Sequence, residues 1–108
     1  MKTNEDNRYI ILGEVLMIER KTRGISQKKF AELLGVSQSE ISKIELGARR
    51  LDVIELFNIC KALGISMTDF IYRMENRLMT KGFLSPRMKK LFLRWKNIYY
   101  ECYNIPKH

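Results

Sequence analysis

Four side chains with hydrogen-bonding groups fall in one short run: Gln38, Ser39, Ser42 and Lys43. Glutamine carries a donor and an acceptor on one amide, serine a hydroxyl that does either, and lysine a charged donor. This is the chemistry of recognition rather than of bond-making. The run fits helical spacing, with Ile41 and Ile44 on one face and the four polar residues on the other. A helical hairpin with an ordinary solvated outer face would show the same polarity, so the run alone leaves both readings open. Bond-making is poorly served elsewhere. The chain has no nucleophile–base pair and no glycine-rich phosphate loop, and its one histidine is His108 at the last position. Cys60 and Cys102 lie far apart with no CxxC spacing, so no metal cluster of familiar kind can be assembled and no cofactor is expected.

The elements that must position the polar run lie between Ser26 and Leu46, which reads SQKKFAELLGVSQSEISKIEL. Phe30 and Leu34 share one face of a helix over Gln27–Leu34, with Ser26 as its N-cap. Gly35 breaks that helix, and Val36 carries the apolar set across the corner. Ser37, with Glu40 three positions on, predicts a capping box for a second helix over Gln38–Leu46, ended by Gly47. Ala31 is small enough for a helix to cross closely over it. Gly35 is expected at positive φ.

These residues resemble the Xre family of helix-turn-helix proteins, the group of lambda repressor and Cro. The resemblance spans roughly Leu12 to Tyr72. It is carried by Gln27, Ala31, Gly35, Val36, Ile41, Ile44, Glu45 and Gly47, all in register. It implies a five-helix lambda-repressor-like domain; with the C-terminal amphipathic helix that the spacing of residues outside the resemblance predicts, the chain is expected to be all-α. It implies sequence-specific binding to double-stranded DNA, the helix at 38–46 entering a major groove about 12 Å wide. Gln38, Ser39 and Lys43 stand where the family makes base contacts, and Ser42 shares their face. Gln27 matches a phosphate contact that Lys28, Arg49 and Arg50 are close enough in sequence to join. Arg20 is expected to pair with Glu45 and tie the first helix to the reading head. One departure is Leu51, where the family often has a proline before the fourth helix; it costs loop rigidity. The implied role is transcriptional regulation, most often repression. Antitoxins and restriction-modification controllers share the fold. A protein-interaction adaptor that binds no DNA is the rival, and it need not keep a polar face with a basic rim.

At 108 residues the chain is expected to form one domain with an appendage: 1–76 for the helix-turn-helix domain, and 77–108 for a basic linker and last helix. No apolar run approaches the ~20 residues that span a membrane, and the segment MKTNEDNR lacks a signal-peptide core. A cytoplasmic, reducing location is expected. The net charge of +8 is uneven. Residues 1–72 carry 11 Lys/Arg against 10 Asp/Glu, and residues 73–108 carry 9 against 2. The excess suits a polyphosphate partner or simply a soluble surface.

The first helix is expected over Arg8–Arg23, with Ile11, Val15 and Ile18 as its stripe and Leu12 and Leu16 beside it. The fourth should start after Asp52 and bury Val53, Leu56, Ile59, Cys60 and Leu63. The fifth should start after Ser66, with Asp69 completing a capping box and Phe70, Ile71 and Met74 facing inward. Residues 75–82 read as either a fraying extension or a linker. Ser85 and Pro86 open a last helix as N-cap and N1. Met88, Leu91, Phe92, Trp95, Ile98 and Tyr99 then recur at spacings of three and four, with Lys89, Lys90, Arg94 and Lys96 on the other face. Such a stripe needs covering, by its own domain or by a second copy. Proteins of this motif bind paired half-sites about 34 Å apart, so a homodimer through this helix is expected. A different protein partner is its other possible use.

Overall fold

The computed structural model describes residues 4–82 and 85–104; the side chains of residues 4–7, 89, 92 and 99 are not part of that description. The described residues form six helices: α1 (Asn4–Thr22), α2 (Gln27–Leu34), α3 (Gln38–Glu45), α4 (Val53–Leu63), α5 (Met67–Thr80) and α6 (Pro86–Tyr103). No strand occurs among the described residues.

Side-chain caps set most of the starts. The hydroxyls of Ser26, Ser37, Ser66 and Ser85 each accept the backbone N–H three residues on. At Ser37 and Ser66 this is the forward half of the expected capping box. The reciprocal box forms instead at Asp52, whose carboxylate accepts from Glu55 N at 2.7 Å while Glu55 Oε1 accepts from Asp52 N at 3.0 Å. Gly35 closes α2 in the left-handed region at φ 70°, with Val36 N bonded back to Ala31 O. A side chain there would be strained, so the tight corner depends on glycine.

The core gathers Leu12, Val15 and Leu16 of α1, Phe30 and Ala31 of α2, and Ile41 and Ile44 of α3 against Leu56, Ile59, Cys60 and Leu63 of α4 and Phe70 of α5. Cys60 is a core residue, and burial raises its thiol pKa. Two expected core residues are not in it. Ile18 is exposed, because the buried arc of α1 continues through Glu19 and Arg20 instead. Val53, at the first residue of α4, is 64% exposed, and Ile54 and Phe57 are exposed as well. Val36 is also exposed at the corner.

Ion pairs join α1 to α5. Glu19 is buried and accepts from Arg23 at 2.7 Å and from Arg73. Arg77 lies 3.3 Å from Glu14. Helix α5 continues to Thr80, so the expected division at 76/77 falls inside it. Helix α6 meets α5 through polar and aromatic contacts. Lys96 Nζ donates to Asn76 Oδ1 at 3.3 Å and sits 4.7 Å from the centre of the Tyr72 ring, which packs T-shaped with Tyr100, ring centres 6.2 Å apart. Hydrogen bonds with Lys96, Tyr100 and Asn76 bring the Tyr72 hydroxyl down to about 8. Lys96 is therefore turned to α5, not left on the solvated face. Met88, Leu91, Trp95 and Ile98 are exposed. The side chains of Phe92 and Tyr99, from the same expected stripe, lie outside the described residues.

Burial raises the pKa of Glu19, but hydrogen bonds from Arg23 and Arg73, with their charges, outweigh it and leave the carboxyl below its usual 4.5. The folded value lies below the unfolded one. The stabilisation is therefore complete above the unfolded pKa and is lost as pH falls through the folded one. Glu19→Gln should lower Tm at pH 7 and flatten the parent's loss of Tm on acidification, as measured by thermal melts across pH.

Candidate nucleic-acid interface

The placement of α3 begins with a buried carboxylate. Glu45, its last residue, is 6% exposed, as is Arg20 of α1. A charge taken from water must be paired and fully hydrogen-bonded. Arg20 provides this with a two-pronged contact, Nε to Oε2 at 2.6 Å and Nη2 to Oε1 at 3.0 Å. Its remaining Nη1 donates to Ile25 O at 2.7 Å, and Gln27 Nε2 donates to Glu45 Oε1 at 2.9 Å. The carboxylate thus joins α1 and the start of α2 to the C-terminal end of α3.

A second contact, not expected from the sequence, holds the same end. Gly13 lies inside α1, where a methyl carbon would sit 2.4 Å from Glu45 O and 2.5 Å from Ile44 O. Gly47 meets α1 similarly, its would-be Cβ 2.6 Å from Ile10 Cα. The backbones touch here, and side chains would push them apart. A lone glycine in a helical pattern was the available signal.

With its end held and Ile41 and Ile44 buried, α3 turns Gln38, Ser39 and Lys43 outward and exposed, with Ser42 half-buried on the same side. The amide of Gln27 is spent in part on Glu45, which leaves one of its two N–H donors uncommitted to that carboxylate. Lys28 is exposed on α2, and Arg50 is exposed with its guanidinium 5.6 Å from the Tyr9 ring centre. Arg49 is placed differently. Its Nη2 is 2.6 Å from Glu55 Oε2, and its Nε is 3.8 Å from Glu40 Oε1. Hydrogen bonds from Arg49 and then from Asp52 N hold the Glu55 carboxyl below its usual value. No group of His, Cys, Asp or Glu among the described residues could hold a metal ion.

The family model for helix-turn-helix proteins matches residues 16–70. The chain belongs to the Xre-type helix-turn-helix family. Over 63 residues it is 33% identical to YonR, a prophage-derived HTH-type transcriptional regulator of Bacillus subtilis, the match covering 58% of this chain and 57% of that one. The chain therefore spans little more than half the length of that relative. Among solved structures, an XRE-family like protein of Pseudomonas syringae is 38% identical with a TM-score of 0.60, over 67% of this chain and 88% of that one. The clp gene regulator ClgR of Corynebacterium glutamicum is 27% identical with a TM-score of 0.62, over 65% and 90%. The two halves of the Xre-type motif are α2 and α3, so the helix with the polar face is the second helix of the motif.

Gly13→Ala tests the close contact. In an open helix the change stabilises by ~1 kcal/mol. Here the new carbon meets backbone oxygens that cannot swing aside, and overpacking costs ~1–3 kcal/mol, so the sign should reverse. A lowered Tm in a far-UV circular dichroism melt is expected.

Proposed function

We propose that the chain represses transcription by binding a specific double-stranded DNA site with the outer face of α3. The observation that carries this is the anchoring of α3 by the buried Glu45 while Gln38, Ser39, Ser42 and Lys43 stand clear of the core. The amide of Gln38 suits the N6 and N7 edge of adenine, and the ammonium of Lys43 suits O6 and N7 of guanine. Ser39 and Ser42 add hydroxyls on the same side. Gln27, Lys28 and Arg50 supply phosphate contacts around the rim, which fix register without reading sequence. Nothing in this mode of action calls for a catalytic step. No described helix is long and apolar enough to cross a membrane, and a DNA partner puts the site of action in the cytoplasm.

The proposal includes a homodimer on paired half-sites. Met88, Leu91, Trp95 and Ile98 leave an apolar stripe exposed on α6. Beside it, α5 and α6 enclose a groove of about 680 Å³ lined by Ile71, Trp95 and Ile98 among others. A second copy would cover both. Phe92 and Tyr99 fall on the same stripe by sequence spacing.

Two experiments test these assignments. Lys43→Ala should cost ~1–3 kcal/mol on a site selected from random duplex DNA and relax preference at one base pair. Parental affinity in that variant would remove Lys43 from the reading face. A chain truncated after Lys81 should sediment as a monomer where the full chain is a dimer, and should bind the selected site far more weakly. Equal sedimentation behaviour of the two would take the dimer role away from α6.

A further inference from the structure

The loop between α3 and α4 holds two adjacent arginines whose surroundings differ. All three guanidinium nitrogens of Arg49 face this chain's own acceptors. Nη2 donates to Glu55 Oε2 at 2.6 Å, Nη1 donates to Arg50 O at 3.1 Å, and Nε lies 3.8 Å from Glu40 Oε1. Glu40 is the third residue of α3 and Glu55 the third of α4. One side chain thus spans from the reading helix to the next helix across a loop without proline. Both carboxylates are placed for this. Ser37 caps α3 with its own hydroxyl, and Glu40 is turned toward Arg49. Glu55 divides its oxygens, Oε1 to the backbone N–H of Asp52 and Oε2 to Arg49.

The charges weigh against a phosphate at this arginine. One cation between two carboxylates is a cluster of net −1, with Asp52 adjacent, and such a cluster repels a phosphate more than it attracts one. Arg50 points its guanidinium over Tyr9 instead, outside that cluster.

We propose that Arg49 is a positioning residue: by bridging Glu40 and Glu55 it sets how α3 is presented to DNA, and the phosphate contact of this loop is made by Arg50. This rests on α3 being the reading helix. A planar fork with three engaged nitrogens is needed for the bridge, and a lysine cannot replace it. The bridge does what a proline in the loop would do, holding the spacing between two helices fixed.

The two possible roles of Arg49 give opposite results in three variants. The probes are the duplex recovered by selection with the full-length parent and a random-sequence duplex of equal length, each titrated over a range of salt. If Arg49 positions α3, Arg49→Ala should lower affinity for the selected duplex about three- to tenfold. Affinity for the random duplex and the salt slope should hold. Arg49→Lys should lose as much as alanine although it keeps the charge. Glu55→Gln still closes the capping box, since glutamine serves there, and should lower the ratio of selected to random affinity. Arg50→Ala should weaken both duplexes alike and reduce the salt slope by about one per site. If Arg49 grips phosphate instead, Arg49→Ala lowers both affinities and the slope together and Arg49→Lys is near parental. Glu55→Gln then strengthens both duplexes with their ratio intact. Any of these three results overturns the proposal. Equal parental affinity for the two duplexes would overturn the reading role of α3 itself, a different outcome from a high parental ratio that the variants leave unchanged.

Discussion

A carboxylate buried at the end of α3 organises this domain. Glu45 could not be left there alone, because an uncompensated buried charge costs several kcal/mol. Arg20 meets both of its oxygens, and Gln27 adds a third hydrogen bond. A buried pair of this kind adds little net stability over an apolar substitute. Its contribution is direction. A hydrophobic contact would let α3 roll or slide by a fraction of a turn, whereas three hydrogen bonds to one carboxylate fix its end in place. The contact at Gly13 and Gly47 works on the same end through shape, bringing the α1 backbone against the α3 carbonyls. The base reading proposed for α3 would need this fixity, since hydrogen bonds weaken steeply with misalignment.

Much of the positive charge is spent inside the molecule. Arg20, Arg23, Arg73, Arg77 and Arg49 all pair with carboxylates of this chain. They join α1 to α3, α1 to α5 and the α3–α4 loop to its flanking helices. Of the cations expected at the DNA face, Lys28, Lys43 and Arg50 are exposed. A net charge of +8 therefore says little about where a polyanion would touch. Location matters more than the total, because exposed charges beyond about 10 Å are screened at ordinary ionic strength.

Helix α6 is attached in an unusual way for an amphipathic helix. Lys96, Tyr100 and their partners on α5 make polar and aromatic contacts, while the apolar residues Met88, Leu91, Trp95 and Ile98 stay exposed. Taking an apolar side chain from full exposure to full burial gains roughly 1.5–3 kcal/mol, and 38–64% of each of these four is still exposed, so covering them would gain a part of that. Their exposure in a single chain is the physical ground on which a second copy is proposed.

Local sequence determined the helices of this protein and the turn between α2 and α3. Cap residues, glycines and the spacing of Phe30, Ile41 and Ile44 act within a few positions of one another, so their effects can be read without knowing the fold. The outward face of α3 was legible for the same reason, since burying Ile41 and Ile44 leaves Gln38, Ser39 and Lys43 no other side. The Arg20–Glu45 pair was anticipated through family resemblance, because nothing local links residues 25 positions apart. Tertiary structure alone decided the rest. Ile18 is exposed because Glu19 and Arg20 take the inward positions for partners on other elements. Gly13 matters because a carbonyl from α3 lies against it. Arg49 reads in sequence like its neighbour Arg50, a cation in a loop. Only the folding of α3 and α4 around it brings two carboxylates to its guanidinium, because ion pairs are set by distance in space and not by order in the chain.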